Sequence, residues 1–133
     1  MAALDTNVLV RFLVQDDVKQ GVLARELIRS TLAKGEPLFV PVTVMLELEW
    51  VLRSNFGFDK VQIIQTLSSL LAARELSFES ETSVEVALAL FGQNKADFSD
   101  CIHIALSHAA GMTPMWTFDR AASKVNGAQL LVA

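Results

Sequence analysis

Two short apolar segments of this chain, Met1-Ala2-Ala3-Leu4 and Met115-Trp116-Thr117-Phe118, each stop at an aspartate and run on into helix-forming sequence. A short apolar run that halts at an acid, followed at once by a second apolar pattern, reads as a buried strand turning into a helix. That reading puts Asp5 and Asp119 at the carboxyl ends of strands. In open α/β sheets ligands bind along that edge, because strand ends and helix N-termini line the crevice there. Thr6 or Asn7 would cap the helix after Asp5 and hold the turn that aims it. Equally, Asp5 is itself the cap, and the segment alone leaves both readings open.

The same alternation continues along the chain. Gln15-Asp16-Asp17 offers a turn and an N-cap, and Val22, Leu23, Leu27, Ile28 and Leu32 make an apolar helical stripe that closes at Gly35. A second strand is expected between Pro37 and Pro41. The next helix starts at Thr43, with Val44, Leu48, Val51 and Leu52 facing the core, Glu47 among them, and Glu49 pointing elsewhere. Asn55-Phe56-Gly57 ends that helix, and Asp59 caps another through Val61, Ile64, Leu67, Leu70 and Leu71. Leu76-Ser77-Phe78 is a third short strand, and a capped helix from Ser80 to Asn94 carries Val84, Ala87, Leu88 and Phe91. The stretch from Lys95 to Asp100 opens a helix over residues 99 to about 109, ended by Gly111. After the strand that stops at Asp119, a short helix around Ala121 to Lys124 leads to a last strand, Leu130-Leu131-Val132. Strands alternating with helices, without repeat or linker, predict one α/β domain over residues 1–133, with a central, mostly parallel sheet of four to five short strands flanked by helices.

At 133 residues the chain suits one domain with a sizeable core. Hydrophobic residues make up 52%, and the mean hydropathy is +0.39, yet no apolar run approaches the roughly 20 residues of a membrane span. The apolar surplus points to an interface with another chain. With no basic region leading a long apolar segment and no small-residue cleavage site, the expected compartment is the cytoplasm. Cys101 is the only cysteine, so neither a disulfide framework nor a thiolate zinc cluster is available, and the residue reads as a packed thiol. A net charge of −4 argues against binding nucleic acid by bulk positive charge. It leaves room for an acidic site that meets a polyanion through divalent cations.

Asp5, Glu47, Asp97, Asp100 and Asp119 all fall at strand ends or in the first turns of helices that follow strands, which brings them to one edge of a parallel sheet. Each taken singly is equally a cap or a solvated group. Together they would raise one another's pKa unless a cation held them ionised, and hard divalent cations take such oxygen ligands. The chemistry suited to that site is phosphodiester hydrolysis by metal-activated water.

Four blocks carry a resemblance: Leu-Asp-Thr-Asn-Val-Leu-Val-Arg at 4–11, Pro-Val-Thr-Val-Met-Leu-Glu-Leu-Glu-Trp-Val-Leu at 41–52, Ala-Asp-Phe-Ser-Asp-Cys-Ile at 96–102 and Thr-Phe-Asp-Arg at 117–120. In order and spacing they resemble the signature blocks of PIN-domain ribonucleases, in particular the VapC-type toxins of bacterial toxin–antitoxin pairs, over essentially the whole chain. The resemblance implies endoribonuclease activity dependent on magnesium or manganese. It matches Asp5, Glu47, Asp100 and Asp119 to the four core acids and Asp97 to an accessory one, with Asp5, Asp97, Asp100 and Asp119 toward the metal. Thr6, Asn7 and Thr117 match polar positions that orient the acids or a bound water. It also implies an RNA substrate, a homodimer and a cognate antitoxin.

Other residues carry weaker readings. His103, one turn after Asp100, would suit a ligand only at a site that needed imidazole, and His108 suits the negative end of its helix. Trp50 and Trp116 read as core or interface side chains ahead of base-stacking platforms. Arg11 and Arg120 are the candidate RNA contacts or internal partners of the acids; Arg53, Lys95 and Lys124 read as solvated. Two other functional classes fit the same residues. One is a catalytically silent module that binds RNA or an antitoxin; the other is a phosphatase with Asp5 as nucleophile.

Overall fold

A computed structural model describes residues 2–133; Met1, with which the expected first strand began, lies outside them. The chain divides into two compact units, Met1–Glu79 and Ser80–Ala133.

The first unit is built on β1 (Leu38–Val40). Pro37 and Pro41 flank it, and because neither has an N–H to donate, the ladder stops at three residues. One edge pairs in parallel with β2 (Leu76–Phe78), Leu38 opposite Leu76 and Val40 opposite Phe78. All four of these side chains are buried. On the other edge Phe39 N–H donates to Ala2 O (2.8 Å) and Leu4 N–H to Phe39 O (2.9 Å), so the expected first strand amounts to one parallel bridge at Ala3.

Four helices surround these strands: α1 (Thr6–Leu13), α2 (Val18–Lys34), α3 (Val42–Phe56) and α4 (Lys60–Leu71). Their ends follow local chemistry. Asp17 Oδ1 accepts from Gln20 N–H at 3.0 Å to start α2, and Asp59 and Gln62 form a reciprocal capping box at α4. Gly35 (φ +70°) and Gly57 (φ +68°) end α2 and α3 in the left-handed region, which suits a residue without Cβ.

The face that α2 buries differs from the expected stripe. Gly21, Ala24, Ile28 and Thr31 turn inward, while Val22, Leu23, Leu27 and Leu32 stand at the surface. Small residues decide this, because α1 and α2 approach so closely that a Cβ at Gly21 would lie 3.4 Å from Arg11 O. A stripe of leucines could not occupy that seam. In α4 Leu67 and Leu70 are buried as expected, whereas Ile63 takes the inner position in the first turns, with Val61 exposed and Ile64 half-buried. Helix α3 buries Val44, Met45, Leu48 and Leu52 and leaves Val51 half-buried.

The second unit runs α5 (Glu81–Gln93), α6 (Phe98–Ala109), β3 (Met115–Thr117), α7 (Arg120–Ser123) and β4 (Ala128–Leu130). Helices α5 and α6 pack along their length, with Phe91 and Phe98 edge to face at 5.6 Å between centroids. Val84, Ala87, Leu88, Phe91 and Cys101 are buried as their spacing predicts. Ser80 stands at the start of α5 but caps nothing with its side chain: its backbone is left-handed (φ +53°), outside the extended conformation from which a cap hydroxyl reaches the first turn.

Strands β3 and β4 pair in parallel, Trp116 opposite Gln129 and Thr117 opposite Leu130. The last strand therefore begins two residues earlier than expected, because Gly127 at φ +101° turns the chain directly into it. Among the described residues each unit holds one parallel pair of strands and helices of its own, an α/β arrangement.

Candidate functional site

In the first unit the chain leaves its bridge with β1 at Leu4 and enters α1 at Thr6, so Asp5 occupies the junction. It is the N-cap: its Oδ1 accepts from Thr6 N–H at 2.7 Å. Capping and a strand-end position are thus the same fact at Asp5. Thr6 is buried, and its hydroxyl donates to Glu47 Oε1, tying the first turn of α1 to α3 across 41 residues of sequence. Glu47 itself is exposed, not among the core residues of α3. Asp5 and Glu47 line one cavity of about 550 Å³ together with Thr43, Val44, Leu46 and Trp50.

The second unit repeats the device. Strand β3 ends at Thr117, whose Oγ1 accepts from Asp119 N–H at 3.0 Å, and Asp119 Oδ1 accepts from Ala122 N–H at 2.8 Å to cap α7. Asp97 holds the N-cap position of α6 but makes no capping bond with its side chain, and Asp100 sits in the first turn. The Asp100 carboxyl is pushed above the usual carboxylate range, first by partial burial, then by the negative charges of Asp119 and Asp97; the nearby His103 pulls the other way. At Asp100 the expectation that neighbouring acids raise a carboxyl's pKa is met, with burial adding the larger share.

The donor set is chemically suited to a hard divalent cation. Every candidate ligand is a carboxylate oxygen, and a positive ion would relieve the repulsion that Asp100 feels. Among the described residues no group of three or more His, Cys, Asp or Glu side chains forms a ready-made metal shell. Magnesium does not require one, since it usually takes one or two carboxylates and keeps several waters.

The remaining candidates sort by their partners. Thr117 orients Asp119, and Thr6 orients Glu47. Asn7 is exposed and lines a separate groove between α1 and α2. Arg11 is engaged by Asp16 (3.2 Å) and by Gln20 Oε1 (2.7 Å), away from the named acids. Arg120 is exposed at the start of α7. Glu49 is buried and bonded to Arg53 Nε at 2.8 Å, which explains why it points away from Glu47. Neither tryptophan is a core residue, since Trp50 is 55% and Trp116 56% exposed. Sequence reasoning did not connect Thr43 and Trp50 to the acids. Their spacing of four and three residues from Glu47 along one helix face was the available signal.

Similarity to known proteins extends over nearly the whole chain. A VapC ribonuclease of Aquifex aeolicus (strain VF5) is 26% identical over 125 residues, covering 94% of this chain and 92% of the relative. The family model of the PIN domain matches residues 2–128, through both units. Matched over nearly its whole length, this chain belongs to the PIN domain family.

Proposed function

We propose that the protein is a magnesium- or manganese-dependent endoribonuclease and the toxin of a toxin–antitoxin pair. The observation that carries the reading is the placement of Asp97 and Asp100 at the start of α6 and of Asp119 at the turn into α7, where the Asp100 carboxyl, raised first by burial and then by the charges of Asp119 and Asp97, would be relieved by a bound cation. Membership of the family and the name of the Aquifex relative support it. In this reading Asp97, Asp100 and Asp119 of the second unit would hold the ion, and Asp5 is proposed as a catalytic acid carried by the first unit. A divalent ion bound there would polarise the phosphate and ease loss of a proton from the attacking water.

The chain's own residues supply the rest. The Thr6 hydroxyl occupies Oε1 of Glu47, which leaves Oε2 to accept a proton from the attacking water. Thr117 fixes the backbone at Asp119, so that its carboxylate is aimed from a rigid turn. In a chain of net charge −4, a cation held by these carboxylates would offset the negative charge that otherwise repels RNA. The antitoxin and a second copy of the chain are the proposed partners, and exposed aliphatic residues such as Leu23 and Leu27 are available to cover. No helix among the described residues is long and apolar enough to cross a membrane, and the proposed site of action is the cytoplasm.

The test is cleavage of a mixed RNA pool by the purified chain in manganese or magnesium, against EDTA, beside Asp5→Asn and Asp100→Asn. Cuts that need the metal and vanish in both variants are expected. A folded wild type that binds metal and RNA but releases no product would replace the enzyme with a binding module.

A further inference from the structure

We infer that Trp50 is a stacking platform for an unpaired base of the RNA beside the scissile phosphate. This rests on the nuclease reading and extends it to how substrate is held. Four observations converge. Trp50 lies three residues after Glu47 on α3, so both project from one side of the helix. The indole is 55% exposed, although tryptophan is ordinarily well buried. It lines the same depression as Asp5 and Glu47, and that depression, about 550 Å³, is open to solvent, so a planar ring can reach the indole.

The lining itself has the character a base requires. Trp50, Val44 and Leu46 are apolar, whereas Thr43, exposed one helical turn before Glu47, presents a hydroxyl that can donate or accept. A nucleobase has an apolar face and a polar edge, and this wall offers a partner to each.

Electrostatics gives the tryptophan its importance. A chain of net charge −4 whose reactive groups are carboxylates cannot collect RNA through a basic surface. Arg11, the arginine nearest Asp5 in sequence, is already engaged by Asp16 and Gln20. Stacking does not depend on charge and tolerates any base, since every base has a π face. It holds the nucleotide where phosphate contacts are few.

The experiment uses the full chain and a mixed-sequence single-stranded RNA 12-mer. Steady-state cleavage in manganese is compared for wild type, Trp50→Phe and Trp50→Leu, with sedimentation of each. The chain has two tryptophans, so Trp116→Phe makes Trp50 the sole emitter for a parallel fluorescence titration with the same RNA. Expected are quenching on RNA addition, a near-normal KM for Trp50→Phe, and a KM raised roughly 5- to 100-fold for Trp50→Leu with kcat little changed. The KM comparison decides alone if Trp116→Phe does not fold. Wild-type KM in Trp50→Leu overturns the inference, and so does an emission unmoved at RNA concentrations that saturate cleavage. Dissociation of a dimer by Trp50→Leu overturns it as well, by placing the indole against a second copy. Quenching without cleavage by the wild type would sustain the stacking and discard the nuclease, while cleavage without quenching would do the reverse.

Discussion

Asp100 is held at the start of α6 with Asp97 and Asp119 acting on it, and the cost of that position is a matter of proton binding. Its carboxyl keeps a proton to higher pH in the folded chain than in the unfolded one. Across that window the fold binds more protons, so stability falls as pH rises from the ordinary carboxylate range through the raised value. Replacing the carboxylate removes the repulsion. Asp100→Asn is therefore expected to melt above wild type at neutral pH in EDTA, by on the order of a degree or two for a partly solvated group. The difference should close as the pH drops below about 4. Equal melting temperatures at pH 7 would show that the acids do not strain the fold. Asp5, Asp97 and Asp119 stand out in the sequence because each ends or begins a segment whose period changes there. Trp50 and Thr43 stand out less, because nothing in a helical period says which exposed face borders a cavity.

Helices and strands here are set by short-range chemistry at their ends and by side-chain size along their seams. The caps at Asp17, Gly35, Gly57 and Asp59 could be read from sequence, since a cap needs only residues within a turn of itself. The buried face of α2 could not. Its leucines and valines have helical spacing, but Gly21 and Ala24 are what admit α1, and smallness is invisible to a search for apolar bulk. This packing makes a paired prediction. Gly21→Ala places a methyl at ordinary contact distance and gains helix propensity, so urea unfolding should show no loss, and a gain of up to about 1 kcal/mol. Gly21→Val adds branches toward Arg11 O and should cost about 1–3 kcal/mol. If both substitutions were equally tolerated, α1 and α2 would not meet at this seam. Strand lengths follow from the same local logic: prolines bound β1, and the positive φ of Gly127 sets where β4 begins.

For the molecule as a whole, a cation that binds the folded acids and not the dispersed ones must raise stability by mass action. Manganese at about a hundred times its dissociation constant should contribute about 2.7 kcal/mol at a single site. A melting temperature that rises with manganese in wild type, and much less in Asp100→Asn, is the expected outcome; parallel rises in both would place the ion elsewhere. The use of Asp5 and Asp119 as helix caps has a consequence for genetics. Asparagine caps a helix about as well as aspartate but carries no charge, whereas alanine does neither job. Under the toxin role proposed above, a selection for survivors of expression would accumulate Asp→Asn at these two codons as intact chain, while alanine at the same codons would also lower the yield.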